Sequence, residues 1–287
     1  MKRPAVLVFA GVDPSGGAGM VADVQAIAAL GAHALAVVTV LTVQDNDRVH
    51  ALHPVAAELV RQQADALTGK IAIAAVKIGV VGDLANALAI AAVVAGLRRR
   101  QPSLPVVLDP VLASGRGDAL AAGDAVRNLA PLLALATVLT PNLPEAAALE
   151  PGAVRRGGDA RRSHDDTESA AGPDAAGSAA QAAALLARGC AHVLLKGGHG
   201  APGLPVRNTW FAAGATRSWD WPRLPGAFHG SGCTLAAALA ACLARGMGMA
   251  QALDTAQAYC QRALENAYAV ADGQRMPDRF IALEEMA

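Results

Sequence analysis

Short β-branched runs alternate with longer runs of alanine and leucine, and this alternation restricts the fold more than any other feature of the chain. Ala5–Phe9, Leu35–Val43, Ala74–Ile78, Val106–Leu108, Thr137–Leu139 and His192–Leu195 read as strands. Met20–Leu30, Pro54–Thr68, Asp83–Arg99, Ala119–Ala130 and Ala179–Arg188 read as the helices around them. The strands are apolar throughout rather than at every second residue, as expected when both faces are covered. The prediction is an α/β fold in three layers (αβα), with a mainly parallel central sheet between helices.

The rhythm breaks twice. Residues 204–221 read as a hairpin with Gly214 in its turn. Residues 150–178 hold almost no large apolar side chains and cannot bury enough surface to offset their ordering entropy. They are expected to form a disordered surface insertion in a single domain spanning 1–287. The last third reads as two helices, Ser231–Arg245 and Met249–Ala271, followed by a short tail. At 287 residues and 53% hydrophobic content, one large core is within reach.

Charge and cysteine usage exclude several classes. Net charge is zero and no basic stripe appears, so neither nucleic acid nor a membrane surface is an expected partner. The longest apolar run, Leu84–Leu97, is shorter than a membrane span and contains Asn86, so it reads as a buried helix. Met1-Lys2-Arg3 followed by Pro4–Ala10 is too short for a signal peptide and reads as a first strand. The four cysteines (190, 233, 242, 260) form no Cys-x-x-Cys pair. Reduced thiols and a cytoplasmic setting are expected. The oligomeric state is not written in the residues; a homodimer is the working expectation.

Three features point to a ligand. Phe228-His229-Gly230-Ser231-Gly232-Cys233-Thr234 opens a long helix, and its small residues leave backbone N–H groups bare at the positive end of the helix dipole. Cys233 lies in the first turn, where the dipole lowers a thiol pKa; the alternative is a small buried helix residue. Asp109 and Lys196 end two strands, and binding sites in open α/β sheets gather at that edge. Lys196 is one of four lysines against twenty arginines, so phosphate contact and compositional chance both stand. Asn142 and Glu145, in Thr140–Glu145, are either site residues or a reciprocal helix cap. Gly17–Ala22 also fits G-x-G-x-x-A, the dinucleotide fingerprint. Asp13-Pro14-Ser15 intervenes before it, however, and Gln44 rather than an acid follows the second strand. The match is weak, and the alternative is a glycine turn that lets helix and sheet pack closely.

Taken in order, Asp13–Asp23, Thr42–Asn46, Lys77-Ile78-Gly79, Val107–Val111 with Ser114–Asp118, Thr140–Glu145, Lys196–His199 and His229–Thr234 resemble the hydroxymethylpyrimidine/phosphomethylpyrimidine kinases of thiamine biosynthesis, in the ribokinase-like superfamily. The resemblance implies transfer from ATP, with Mg2+, to 4-amino-5-hydroxymethyl-2-methylpyrimidine and then to its monophosphate. It implies that Gly11, Asp23, Gln44, Val80 and Val107 hold the pyrimidine. Asp109, Asn142, Glu145 and Lys196 would surround nucleotide and metal, with Asp109 and Glu145 nearest the ion. Gly230, Ser231, Gly232 and Cys233 would form the anion hole, Cys233 replacing the aspartate base of sugar kinases. Val80 stands where the family commonly has methionine, and Phe228 where a polar residue is usual. Rival readings are a pyridoxal-type kinase, an enzyme of the second phosphorylation only, a dinucleotide-dependent oxidoreductase, and a ligand sensor without turnover.

Overall fold

The computed structural model describes residues 2–151 and 175–281. Its elements run β1 (Ala5–Val12), α1 (Gly19–Ala29), β2 (His33–Gln44), β3 (Val49–Pro54), α2 (Ala57–Thr68), β4 (Ile73–Ile78), α3 (Leu84–Arg100), β5 (Val106–Leu108), α4 (Ala125–Leu133), β6 (Val138–Leu139) and α5 (Leu143–Leu149). They continue with α6 (Ala175–Ala187), β7 (His192–Leu195), β8 (Val206–Ala212), β9 (Ala215–Trp221), α7 (Ser231–Ala244) and α8 (Met249–Glu265).

Among the described residues, the strands form one nine-stranded sheet in the order β3-β2-β1-β4-β5-β6-β7-β8-β9. From β2 to β7 every neighbouring pair is parallel. Only β3 and the β8–β9 hairpin, at the two margins, run antiparallel. Side chains of β1 alternate between two cores. Leu7 and Phe9 pack with α2, α3, α4 and α6; Val6 and Val8 pack with α1, α7 and α8. The expected αβα layering is therefore present, with both faces of the central strands covered.

Chain order reverses between β1 and β4. Beyond β1 the sheet grows one way through β2 and β3, and beyond β4 it grows the other way. A crevice opens at such a point, outside the C-terminal ends of the strands.

Four sequence expectations shift. β3 was not foreseen; it is a half-exposed edge strand, with exposed His50, His53 and Pro54. The helix expected from Ala119 begins at Ala125. Gly123 takes φ 73°, and Asp124 caps the amides of Val126 and Arg127. The helix expected to reach Ala271 stops at Glu265, because Tyr268 turns back to pair with Met276. Of the insertion expected at 150–178, residues 152–174 lie outside the described residues, and 175–178 belong to α6. Among the described residues, no helix is long and apolar enough to cross a membrane.

Candidate active site

A cleft of about 430 Å3 lies along the C-terminal edge of the sheet. Gly11, Gln44 and Val80 line it where β1, β2 and β4 end, at the switch point. Asn208 and Trp221 line it from β8 and β9, across the sheet. Between them stand Asp109, Asn142, Glu145, Lys196 and the start of α7.

The start of α7 is built to be open. Gly230 is its N-cap, with φ 73° and ψ 22°, and among the described residues no side chain caps the helix. Any Cβ at Gly230 would strike the Gly17 carbonyl and lie 2.8 Å from Ala18 Cα, so glycine is required there for two reasons. The amide of Thr234 donates to the Gly230 carbonyl at 2.9 Å, the first bond of the helix ladder. The amides of Ser231, Gly232 and Cys233 precede that bond at the positive end of the helix, and all three residues line the cleft.

The first glycine loop is closed by comparison. Asp13 Oδ1 accepts from the Ser15 amide at 2.8 Å and the Ser15 hydroxyl at 2.7 Å, while Oδ2 accepts from the Ala18 amide at 2.8 Å. His229 Nε2 reaches the same Oδ2 at 2.8 Å. Burial alone would raise the Asp13 pKa, but hydrogen bonds from His229, Gln44 and Ser15 prevail and hold it at about 2. An ionised carboxylate of the chain itself thus occupies the loop that matches the dinucleotide fingerprint. Two elements 216 residues apart in sequence are joined at the cleft wall. From the sequence His229 reads only as a neighbour of Cys233 or a loop residue without a role; the structure pairs it with Asp13.

Lys196 Nζ donates to Asp109 Oδ1 at 3.0 Å, and the Thr140 hydroxyl donates to the same oxygen at 3.2 Å. Glu145 and Asn142 make the reciprocal helix cap: the Glu145 amide donates to Asn142 Oδ1 at 2.8 Å, and the Asn142 amide to Glu145 Oε2 at 2.7 Å. Cap and cleft position hold together, so the two readings of this motif do not compete. Burial pushes the Glu145 pKa up to about 7; Lys196 opposes the rise and Asp109 adds to it. Burial would lower the Lys196 pKa, and Asp109 with Glu145 turns that into a rise.

Three expectations need correction. Asp23, expected on the pyrimidine, is completely buried and absent from the cleft lining; its Oδ2 takes a 2.7 Å hydrogen bond from Lys77 Nζ. Val107, expected on the substrate, is also fully buried, because its side chain faces the core shared by α7 and α8. The thiol of Cys233 is not activated by its place in the first turn. Desolvation pushes its pKa to about 11, against weaker opposition from Lys77 and the Gly19 amide. The other site residues of the resemblance line the cleft.

Comparison with known proteins agrees with this architecture. The family model described as phosphomethylpyrimidine kinase matches residues 13–278. The chain is 38% identical over 275 residues to a hydroxymethylpyrimidine/phosphomethylpyrimidine kinase of Mycobacterium bovis, covering 95% of this chain and 92% of that one. Among solved structures, the phosphomethylpyrimidine kinase of Clostridium difficile 630 superposes with a TM-score of 0.72 at 26% identity, over 92% of this chain and all (100%) of that one. The pyridoxal kinase of Staphylococcus aureus, solved with AMP-PCP and pyridoxal, shares the fold with a TM-score of 0.79 at 24% identity, over 98% and 94% of the two chains. The motifs, the sheet order and these matches agree: the chain belongs to the phosphomethylpyrimidine kinase family.

Proposed function

We propose that the chain transfers the terminal phosphoryl group of ATP to the hydroxyl of 4-amino-5-hydroxymethyl-2-methylpyrimidine, and then to the resulting monophosphate, as in thiamine biosynthesis. The observation that carries this reading is the uncapped first turn of α7, which opens into the same cleft as the switch point between β1 and β4. Family relatives with this activity support it.

Phosphoryl transfer asks a protein mainly for positioning and charge neutralisation. The amides of Ser231, Gly232 and Cys233 meet the charge on the transferred group, and one such donor in a water-poor site is worth about 3–4 kcal/mol. Lys196 stands beside Gly232, its Nζ 3.1 Å from where a Cβ would be, and supplies a compact positive charge to the polyphosphate. Gly11, Gln44 and Val80 shape the acceptor pocket, and Asn208 and Trp221 leave the opposite end for the nucleoside. At neutral pH the Cys233 thiol stays uncharged, so it does not repel an acceptor that already bears a phosphate.

Asp109 and Glu145 fit a divalent ion: both are buried oxygen donors, and the charge of Asp109 raises the pKa of Glu145. Mg2+ keeps several water and phosphate ligands and asks the protein for only one or two carboxylates. When bound, Mg2+ neutralises phosphate charge. A cytoplasmic homodimer belongs to the same reading. Exposed Leu41 and Val43 on β2 and exposed Val21 and Val24 on α1 support the dimer, and light scattering showing a monomer would remove that part.

The reading is tested by offering the pyrimidine alcohol, its monophosphate and pyridoxal in turn, each with Mg-ATP, and following phosphorus NMR. Diphosphate formed from the alcohol through the monophosphate is the expected result. Turnover of pyridoxal alone would replace the acceptor, and no transfer to any of the three would end the reading.

A further inference from the structure

Arg279 is among the largest fully buried side chains of the described residues, at 2% exposure, and lies in the segment after α8. Its guanidinium joins three parts of the molecule. Nη2 donates to the Gly17 carbonyl at 2.6 Å, in the first glycine loop. Nε donates to the Thr234 hydroxyl at 2.9 Å, in the first turn of α7. Nη1 donates to Gln25 Oε1 at 3.3 Å, on α1.

Thr234 passes the contact onward. Its hydroxyl donates to the Gly230 carbonyl at 2.8 Å, and its amide donates to the same oxygen at 2.9 Å. Gly230 is the left-handed N-cap, and the Gly17 carbonyl fills the space where its Cβ would be. Arg279 therefore holds both sides of the approach between the glycine loop and the open helix turn, Gly17 directly and Gly230 through Thr234.

We propose that Arg279 is a positioning residue for phosphoryl transfer: acting through Thr234 and Gly17, it sets the direction in which the amides of Ser231, Gly232 and Cys233 face the cleft. The inference rests on the phosphoryl-transfer reading above. In the chain Nε–H to Oγ1–H to carbonyl, each hydrogen bond polarises the next. The rigid fork of a guanidinium fits two acceptors from two elements at once, which a lysine ammonium on a flexible stem does not reproduce. Direction matters because a displacement of about 1 Å at a reacting group costs on the order of 100-fold in rate.

The test is steady-state kinetics with both acceptors, below each variant's unfolding midpoint, on the parent, Arg279→Met, Arg279→Lys, Thr234→Val and Thr234→Ser. In Arg279→Met and Thr234→Val, kcat falls by roughly 10–100-fold for both steps, while KM for the pyrimidine stays within about twofold. Thr234→Ser recovers most of the loss because the hydroxyl relay is kept, and Arg279→Lys recovers little. The double variant Arg279→Met with Thr234→Val is no slower than the slower single one. A parent-like kcat in Thr234→Val and Arg279→Lys, with only the melting temperature lowered, would overturn the inference and leave the kinase reading standing. A loss confined to KM for the pyrimidine would overturn it as well. A parent without phosphoryl transfer would remove both. Should Arg279→Met fail to fold, Thr234→Val against Thr234→Ser decides alone.

Discussion

The ammonium of Lys77 lies 2.7 Å from Asp23 Oδ2, and neither side chain has any solvent exposure. The pair ties α1 to β4 across the core. Burial pushes the Asp23 pKa up and Lys77 opposes it; for Lys77, the attraction of Asp23 overcomes burial and raises its pKa. Breaking the pair on one side leaves an uncompensated buried charge, which costs about 3–5 kcal/mol. Asp23→Ala and Lys77→Met are each expected to lose that much in denaturant unfolding, and Asp23→Asn with Lys77→Met less than the sum. Because Asp23 is not in the cleft lining, the folded fraction of Asp23→Asn should keep KM for the pyrimidine within about threefold of the parent. A larger rise would return Asp23 to the substrate.

Glu145 gives the fold a pH dependence of definite sign. Its folded pKa, about 7, exceeds the ordinary value of 4.5. Between those values the folded state holds a proton that the unfolded chain has lost, so stability falls as pH rises through that window and levels off above it. Glu145→Gln keeps an acceptor for the Asn142 amide and abolishes the titration. Without metal or nucleotide, the variant should gain on the parent by roughly 3 kcal/mol from pH 4.5 to pH 7. Parallel stability curves across that window would show that Glu145 ionises at its ordinary pKa.

Gly230 and Gly232 separate backbone from side-chain crowding. A Cβ at Gly230 meets a backbone carbonyl and sits on a residue with positive φ, so neither the contact nor the strain can relax. A Cβ at Gly232 meets the far end of Lys196 at 3.1 Å, which can move aside. Gly230→Ala is expected to lose both stability and nearly all turnover. Gly232→Ala should keep its melting temperature within about 2 °C and lose activity through a raised KM for ATP. Equal losses of stability in the two would contradict the geometry.

Cys233 should react as a neutral thiol. With its pKa pushed to about 11, iodoacetamide labelling at this position should be slow at pH 7 and climb about tenfold per pH unit up to pH 9. A plateau below pH 8, located by peptide mass mapping, would mean an activated thiolate instead. In the same spirit, Cys233→Asp places a fixed negative charge where the monophosphate must approach. It should retain part of the first transfer and lose most of the second; matching losses in both would remove charge exclusion as the reason for a cysteine.

How much of this was legible in the residues follows from the range of each interaction. The parallel core was legible because an apolar run such as Val106–Leu108 states its burial locally. The Asn142–Glu145 cap was legible because its partners are three residues apart. β3 was hidden because its half-exposed residues carry no apolar run. Asp23 was misplaced because its partner is 54 residues away, although a lysine inside the apolar run Ile73–Ile78 signals that a buried counter-charge must exist. The Asp13–His229 and Arg279–Gly17 contacts span 216 and 262 residues, and nothing in the sequence near either end announces them.

The central claim is that the terminal phosphoryl group rests on the first turn of α7, facing the acceptor pocket at the β1–β4 switch point. A crystal structure with a non-hydrolysable ATP analogue and the pyrimidine alcohol tests it most directly. The account predicts phosphate oxygens within hydrogen-bond distance of the amides of Ser231, Gly232 and Cys233, with Lys196 alongside and the Asp13–His229 contact intact. Phosphates bound instead by the amides of Ser15–Ala18, with Asp13 displaced, would contradict it.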